Sequence, residues 1–273
     1  MNQQHRHTMP NPEPSEDAVT ASRLLTATWG FAVLATVLAT VRHSTSAVLA
    51  GLPEGGLSTV PLLSTVPHLV WAYAAGHVVL ALVALGLGYL LLSWAYPMRG
   101  LAAAARAGNP AAAIQAAAHV LGAAAVACAC WGGADAGSVL ISAVFSVLGW
   151  GVLAGACAGH RLVTRYADHE EIQAGNVAAA LASAGLHVGI AIVVARAMTG
   201  PFVGWPDSLS GFAGALIWIL LLWPLRQILL ARVILRLDPK RLDTAVMQRQ
   251  DPWLGAAEAL AYVLAALCLS ASW

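Results

Sequence analysis

Glu171-Ile172-Gln173-Ala174-Gly175-Asn176-Val177-Ala178-Ala179-Ala180-Leu181 is the stretch that decides the fold. A short polar segment runs into a glycine, an asparagine follows, and a long alanine-rich apolar run begins. Asparagine starts helices well because its side-chain oxygen accepts a hydrogen bond from an otherwise orphaned N–H of the first turn. The phrase recurs upstream as Gly108-Asn109-Pro110-Ala111-Ala112-Ala113-Ile114-Gln115. Downstream it is degenerate, Gln250-Asp251-Pro252-Trp253-Leu254-Gly255-Ala256-Ala257-Glu258. Pro110 and Pro252 fall in the first helical turn, where a missing N–H is tolerated. The caps at 109, 176 and 251 stand 67 and 75 residues apart, spacings that fit one supersecondary unit per copy.

The bulk composition says where such units live. The chain has 273 residues, 59% hydrophobic and only 10% charged, with a mean hydropathy of +0.72. Soluble domains carry roughly 25% charge, so the chain reads as a membrane protein with the lipid bilayer as its first partner. A net charge of +1, with no basic block among aromatics, argues against nucleic acid as a partner. The four cysteines, at 128, 130, 157 and 268, all lie in apolar runs and read as small buried residues. Residues 1–22 are polar and proline-bearing and read as a disordered cytoplasmic tail, without the positive excess of a secretory leader.

A span of the hydrocarbon core needs roughly 20 apolar residues. Seven runs qualify: about 24–42, 68–96, 110–131, 136–160, 177–198, 209–232 and 253–272. Twelve of the fourteen basic residues fall on one side of the resulting topology, leaving Arg42 and Arg196 for the other. By the positive-inside rule the N-terminus is cytoplasmic and Trp273 is outside. The expected fold is all-α, a polytopic transmembrane helix bundle of one lead-in helix plus three parallel helical-hairpin repeats. Its divisions are the tail, a lead-in helix with outer loop over 23–66, and hairpins over 67–133, 134–200 and 201–273. The alanine- and glycine-rich spans three, five and seven belong at the bundle centre, joined by span four through Gly151, Gly155 and Gly159. A homodimer seam is the alternative use of those glycines, which leaves room for a homo-oligomer.

Each repeat also places a polar pair near mid-membrane: Gln115 with His119, Ser183 with His187, and Glu258 with Tyr262. His77, with Tyr73, adds another nearer the outer surface. Polar groups at this depth either pin helices together or mark an ion or proton path, here through His77, His119, His187 and Glu258. No HxxxH or HxxE spacing occurs within the spans, so no metal is expected. Arg161, Arg165, Arg232 and Arg236 form a cytoplasmic rim that suits interfacial anchoring or docking of a peripheral cytoplasmic protein. There is no G-x-S-x-G, P-loop, HExxH or nucleotide-binding glycine pattern, so neither an enzyme nor a cofactor is expected.

The middle copy resembles the membrane family called domain of unknown function 350, typified by the YjfL-like inner-membrane proteins. Glu171, Ile172, Gly175, Asn176, Ala178, Ala180, Gly185 and Gly189 match its hallmark of an acidic-Ile pair, Gly-Asn and an alanine-rich helix with a glycine two turns in. The first copy lacks the acidic-Ile pair and the third replaces Gly-Asn by Gln250-Asp251. Some similar proteins are encoded beside homologues of a phage-shock membrane-maintenance protein. The family is named for its unknown function, so the resemblance implies a bacterial inner-membrane location and a tilt toward membrane stress. With no catalytic signature, the expected role is a non-enzymatic scaffold or adaptor in envelope maintenance or membrane stress. The alternatives are a small ion or proton channel or transporter using the mid-membrane His and Glu groups and, behind it, a membrane enzyme.

Overall fold

A computed structural model describes residues 16–50, 62–95, 100–132, 136–163, 168–225, 230, 236, 242, 244 and 246–272. Their regular structure is helical throughout. In chain order the helices are α1 (Glu16–Ala50), α2 (Leu62–Ala95), α3 (Leu101–Arg106), α4 (Pro110–Cys130), α5 (Ala136–Val163), α6 (Asp168–Gln173), α7 (Val177–Ala197), α8 (Trp205–Leu225) and α9 (Pro252–Ala271). All but the short α3 and α6 are long and apolar enough to cross a membrane, which makes the chain a multi-pass membrane protein.

Cross-helix contacts give the directions. Ala18 meets Gly108, and Thr36 meets Cys128, so α1 runs parallel to α4. His119 meets His187 and Cys130 at the end of α4 meets Met198 at the end of α7, so α4 and α7 are parallel. Ala178 meets Gly255, and Gly189 meets Tyr262, so α9 runs the same way again. Ser142 reaches the carbonyl of Cys130, while Trp150 reaches that of Ala123, which makes α5 antiparallel to α4. His77 and Gly88 on α2 face Ser138 and Trp150 on α5, and Phe212 on α8 packs against Phe145 of α5. The bundle is therefore two layers. An inner row of parallel helices, α1, α4, α7 and α9, lies against an outer layer of α2, α5 and α8 running the other way.

Small side chains make the inner row. At Gly185 an added Cβ would collide with the backbone of Ala259, and at Gly255 with that of Ala178. Lipid solvates larger apolar groups as well as protein does, so close backbone approach is what holds membrane helices together. Within the row α4 and α7 are the interior, with 67% and 72% of their spans buried, while its end members α1 and α9, at 17% and 28%, fall within the 17–33% of the outer layer.

Four expectations change. Residues 16–22 are helical rather than tail, since α1 starts at Glu16 with Glu16 and Asp17 in the first turn, where the helix dipole favours acid. That helix is no mere lead-in, because Ala32, Thr36, Thr40 and Ser44 form a buried stripe of small residues along α1. Span seven is only half central: Glu258, Tyr262, Ala265 and Ala266 are buried, but Leu260, Leu264 and Leu267 face outward. A Cβ added at Gly151, Gly155 or Gly159 would meet nothing within 4 Å among the described residues, so α5 does not join the described bundle through them. It packs instead through Trp150, Leu153 and Cys157.

The caps do more than start helices. Asn109 Oδ1 accepts from the N–H of Ala112 at 3.0 Å. Its Nδ2 donates to the carbonyls of Ile172 and Gln173, both at 3.0 Å. Asn176 repeats the pattern, accepting from Ala179 at 3.1 Å and donating to the carbonyls of Val246 and Met247 at 3.3 and 3.2 Å. Each amide thus fastens its own helix to the end of the helical segment that leads into the next. Gly108 and Gly175 make the preceding turns possible with φ of 101° and 92°. Asp251 accepts from Trp253 at 3.0 Å but has no side-chain N–H to donate. Replacing Asn176 by Asp keeps the cap, strips two buried carbonyls of their donor and sets a carboxylate beside Glu171. It should lower stability by about 1–3 kcal/mol in detergent, whereas Asp251→Asn should change it by less than about 0.5 kcal/mol. Thermal unfolding of both variants checks the contrast.

Candidate functional site

The inner faces of α4 and α7 are rich in alanine, with valine, glycine, leucine and isoleucine beside it. Ala112, Ala116, Ala123 and Ala127 on α4, and Ala179, Ala180 and Ala191 on α7, are all at most 1% exposed. Within this apolar layer sit Gln115, His119 and His187, equally buried. The His119 and His187 rings lie 4.7 Å apart between centroids, tilted by 41°. Gln115 Nε2 lies 3.4 Å from His119 Nε2, and Cys157 Sγ lies 3.2 Å from His187 Nδ1. Three helices therefore converge: α4 supplies Gln115 and His119, α7 supplies His187, and α5 supplies Cys157. Gly122 makes room for the ring of His187, whose Nε2 would be 2.7 Å from a Cβ there. His187 Nε2 and Gln115 Oε1 are buried without a hydrogen-bond partner among the described residues.

Such a set can hold three helices in register or relay a proton between imidazoles. Like charges 4.7 Å apart repel strongly, so at most one ring carries a charge at a time. Among the described residues, no group of three or more His, Cys, Asp or Glu side chains is placed to hold a metal ion.

The mid-membrane candidates divide. Gln115, His119 and His187 come together. His77 is buried but faces Ser138 at 3.3 Å. Ser138 precedes Cys157 on α5 by 19 residues, about 28 Å of helix, so His77 lies far from the paired rings. Glu258 and Tyr262 are buried on the α9 face that meets α7, where the backbone of Tyr262 lies against Gly189. Ser183 is half-buried on α7. On the rim, Arg236 is exposed with φ 51°. The side chains of Tyr73 and Arg161, and residues Arg165 and Arg232, lie outside the described part. Cys157 is the residue that sequence reasoning missed: a cysteine in an apolar run looks like filler until its neighbour on another helix is known.

The eight motif residues have visible structural tasks. Glu171 Oε2 accepts from Asn176 Nδ2 at 3.0 Å. Ile172 is fully buried and its carbonyl receives the Asn109 amide. Gly175 turns the chain and Asn176 caps α7. Ala178, Gly185 and Gly189 meet Gly255, Ala259 and Tyr262 on α9, and Ala180 is fully buried. The far end is tied as well, since Arg196 Nε donates to the carbonyl of Ser270 at 3.1 Å.

Compared with known families, residues 136–273, from α5 to the end of α9 and beyond, match the one described as Domain of Unknown Function (DUF350). The middle copy and the degenerate third lie within the match; Gly108-Asn109 lies before it. No curated protein and no solved structure matches the chain.

The packing around His187 is testable by contrast. Gly122→Ala pushes a methyl group into the ring and should cost about 1–3 kcal/mol of stability in detergent. Gly151→Ala, on the open face of α5, should leave stability unchanged or raise it by up to about 1 kcal/mol through helix propensity. Equal losses at both positions would contradict the assigned faces.

Proposed function

We propose, for a chain that belongs to the DUF350 family, a non-enzymatic role as a membrane scaffold or adaptor in envelope maintenance. The observation that supports this reading is the inner row itself. Asparagine amides join its helices at one end, an arginine joins them at the other, and glycine-to-backbone contacts fill the middle. That construction spends its polar groups on fixing helices against one another, which suits a rigid platform more than a gated path. In this reading the membrane is the bacterial inner membrane, with the cap end and its arginines cytoplasmic by the positive-inside rule. Arg161, Arg165, Arg232 and Arg236 then present a basic rim to a peripheral protein.

A second reading has its own support. The paired imidazoles beside Cys157, with His187 Nε2 and Gln115 Oε1 unpartnered in the apolar layer, are the kind of buried polar set found along proton and ion routes. Two measurements separate the readings. In proteoliposomes the scaffold gives no pH- or ion-dependent flux; a wild-type flux lost in both His187→Ala and Glu258→Gln would establish the transporter instead. Gentle-detergent purification should retain a peripheral protein that charge reversal at Arg161 and Arg165 releases. An unaltered set of co-purifying proteins would count against the adaptor.

A further inference from the structure

At the end of the bundle opposite the caps, the last turns of α4 and α7 and the first turns of α5 and α8 surround a cavity of about 700 Å³. Cys130 and Met198 both line it, one from the end of α4 and the other just past α7. Cys130 Sγ lies 3.7 Å from Met198 Sδ. His43, near the end of α1, lines the same cavity. The two sulfurs thus come from two members of the inner row, and neither is part of the mid-membrane cluster.

The surroundings position these groups. Ser142 Oγ donates to the carbonyl of Cys130 at 2.6 Å and so fixes the last turn of α4. The thioether of Met198 lies over Gly149, where a Cβ would be 2.5 Å from Met198 Cε and 2.9 Å from Sδ. A residue with any side chain at position 149 would displace the sulfur. Gly132 likewise leaves the space that the Cβ of His43 takes up.

We propose that this cavity binds a soft monovalent metal ion, Cu(I) or Ag(I), on Cys130 Sγ and Met198 Sδ. Thiolate and thioether sulfur together select soft ions, while harder divalent ions prefer oxygen and imidazole and gain little from a thioether. With metal–sulfur bonds of about 2.3 Å, two sulfurs 3.7 Å apart subtend roughly 107° at a shared ion. That angle is close to tetrahedral, and at this separation the Cys130 thiol donates to Met198 Sδ, a bond that the ion would replace. On binding, the Cys130 S–H bond breaks and its proton leaves to water in the cavity. A metal–thiolate bond forms, a lone pair on Met198 Sδ makes the second bond, and the metal stays at +1. No electron changes hands. Ion and thiolate together are neutral, which lowers the cost of holding them at the edge of an apolar layer.

The test uses the full-length protein in detergent with Cu(I) held by a chromophoric chelator, and X-ray absorption on the loaded wild type. One ion per chain is expected, with two sulfur scatterers at about 2.3 Å. A shell of one sulfur, or of nitrogen and oxygen alone, would overturn the site. In a background with Cys128, Cys157 and Cys268 replaced by Ser, binding should persist at full stoichiometry. In that background Met198→Leu should weaken binding roughly 100-fold, and Cys130→Ser should abolish it. Equal affinity with and without the Met198 sulfur would reduce the observation to plain thiol reactivity and sink the proposal. The absorption measurement needs no variant, so a misfolded mutant leaves the question decidable.

Discussion

An asparagine side chain at the start of a membrane helix has two ends to satisfy, and the fold follows from how it does so. Its oxygen belongs to the first turn of its own helix; its amide protons must find carbonyls in a region with little water to replace them. Asn109 and Asn176 find them on the segment leading into the neighbouring helix. That requirement places successive inner helices side by side and in the same direction. Parallel neighbours of this kind gain nothing from their dipoles. Their stability rests on these bonds and on the close approach that glycine and alanine allow.

The same economy explains why the polar groups at mid-depth look structural and yet invite chemistry. His119, His187 and Cys157 come from three helices and meet in an alanine-lined layer. A purely mechanical pin would have every atom partnered, and among the described residues His187 Nε2 departs from that. Gly122 leaves the room that its ring takes up. The site joins α4, α5 and α7, so a change of partner there reaches three helices at once.

The spans were legible in the sequence because a run of apolar residues of sufficient length has little choice in a bilayer, and the caps were legible because Asn before an alanine run has one main use. The amide donations were not, since their acceptors are backbone carbonyls 63 to 71 residues away and carry no side-chain signature. The Gly151, Gly155 and Gly159 stripe misled for a related reason: spacing four apart defines a face but not what lies opposite, and among the described residues nothing does. Gly185 and Gly189, with the same spacing, do face a helix. His77 shares with His119 and His187 a place in an apolar run, and a pattern along one chain does not give distance across the bundle. Cys157 and Cys130 passed as filler because their partners reside on other helices.

Asn109 and Asn176 each hold two elements at once, where Asp251 holds its own helix alone. A tilt of α4 or α7 is therefore handed on through one amide, to the segment before α7 in the first case and to the segment before α9 in the second. The Asp251 cap hands nothing on, and α9 answers to α7 through the contacts at Gly185, Gly189 and Gly255 and the Arg196–Ser270 bond. Leverage within the row thus runs through α7, the helix that both receives an amide and extends one.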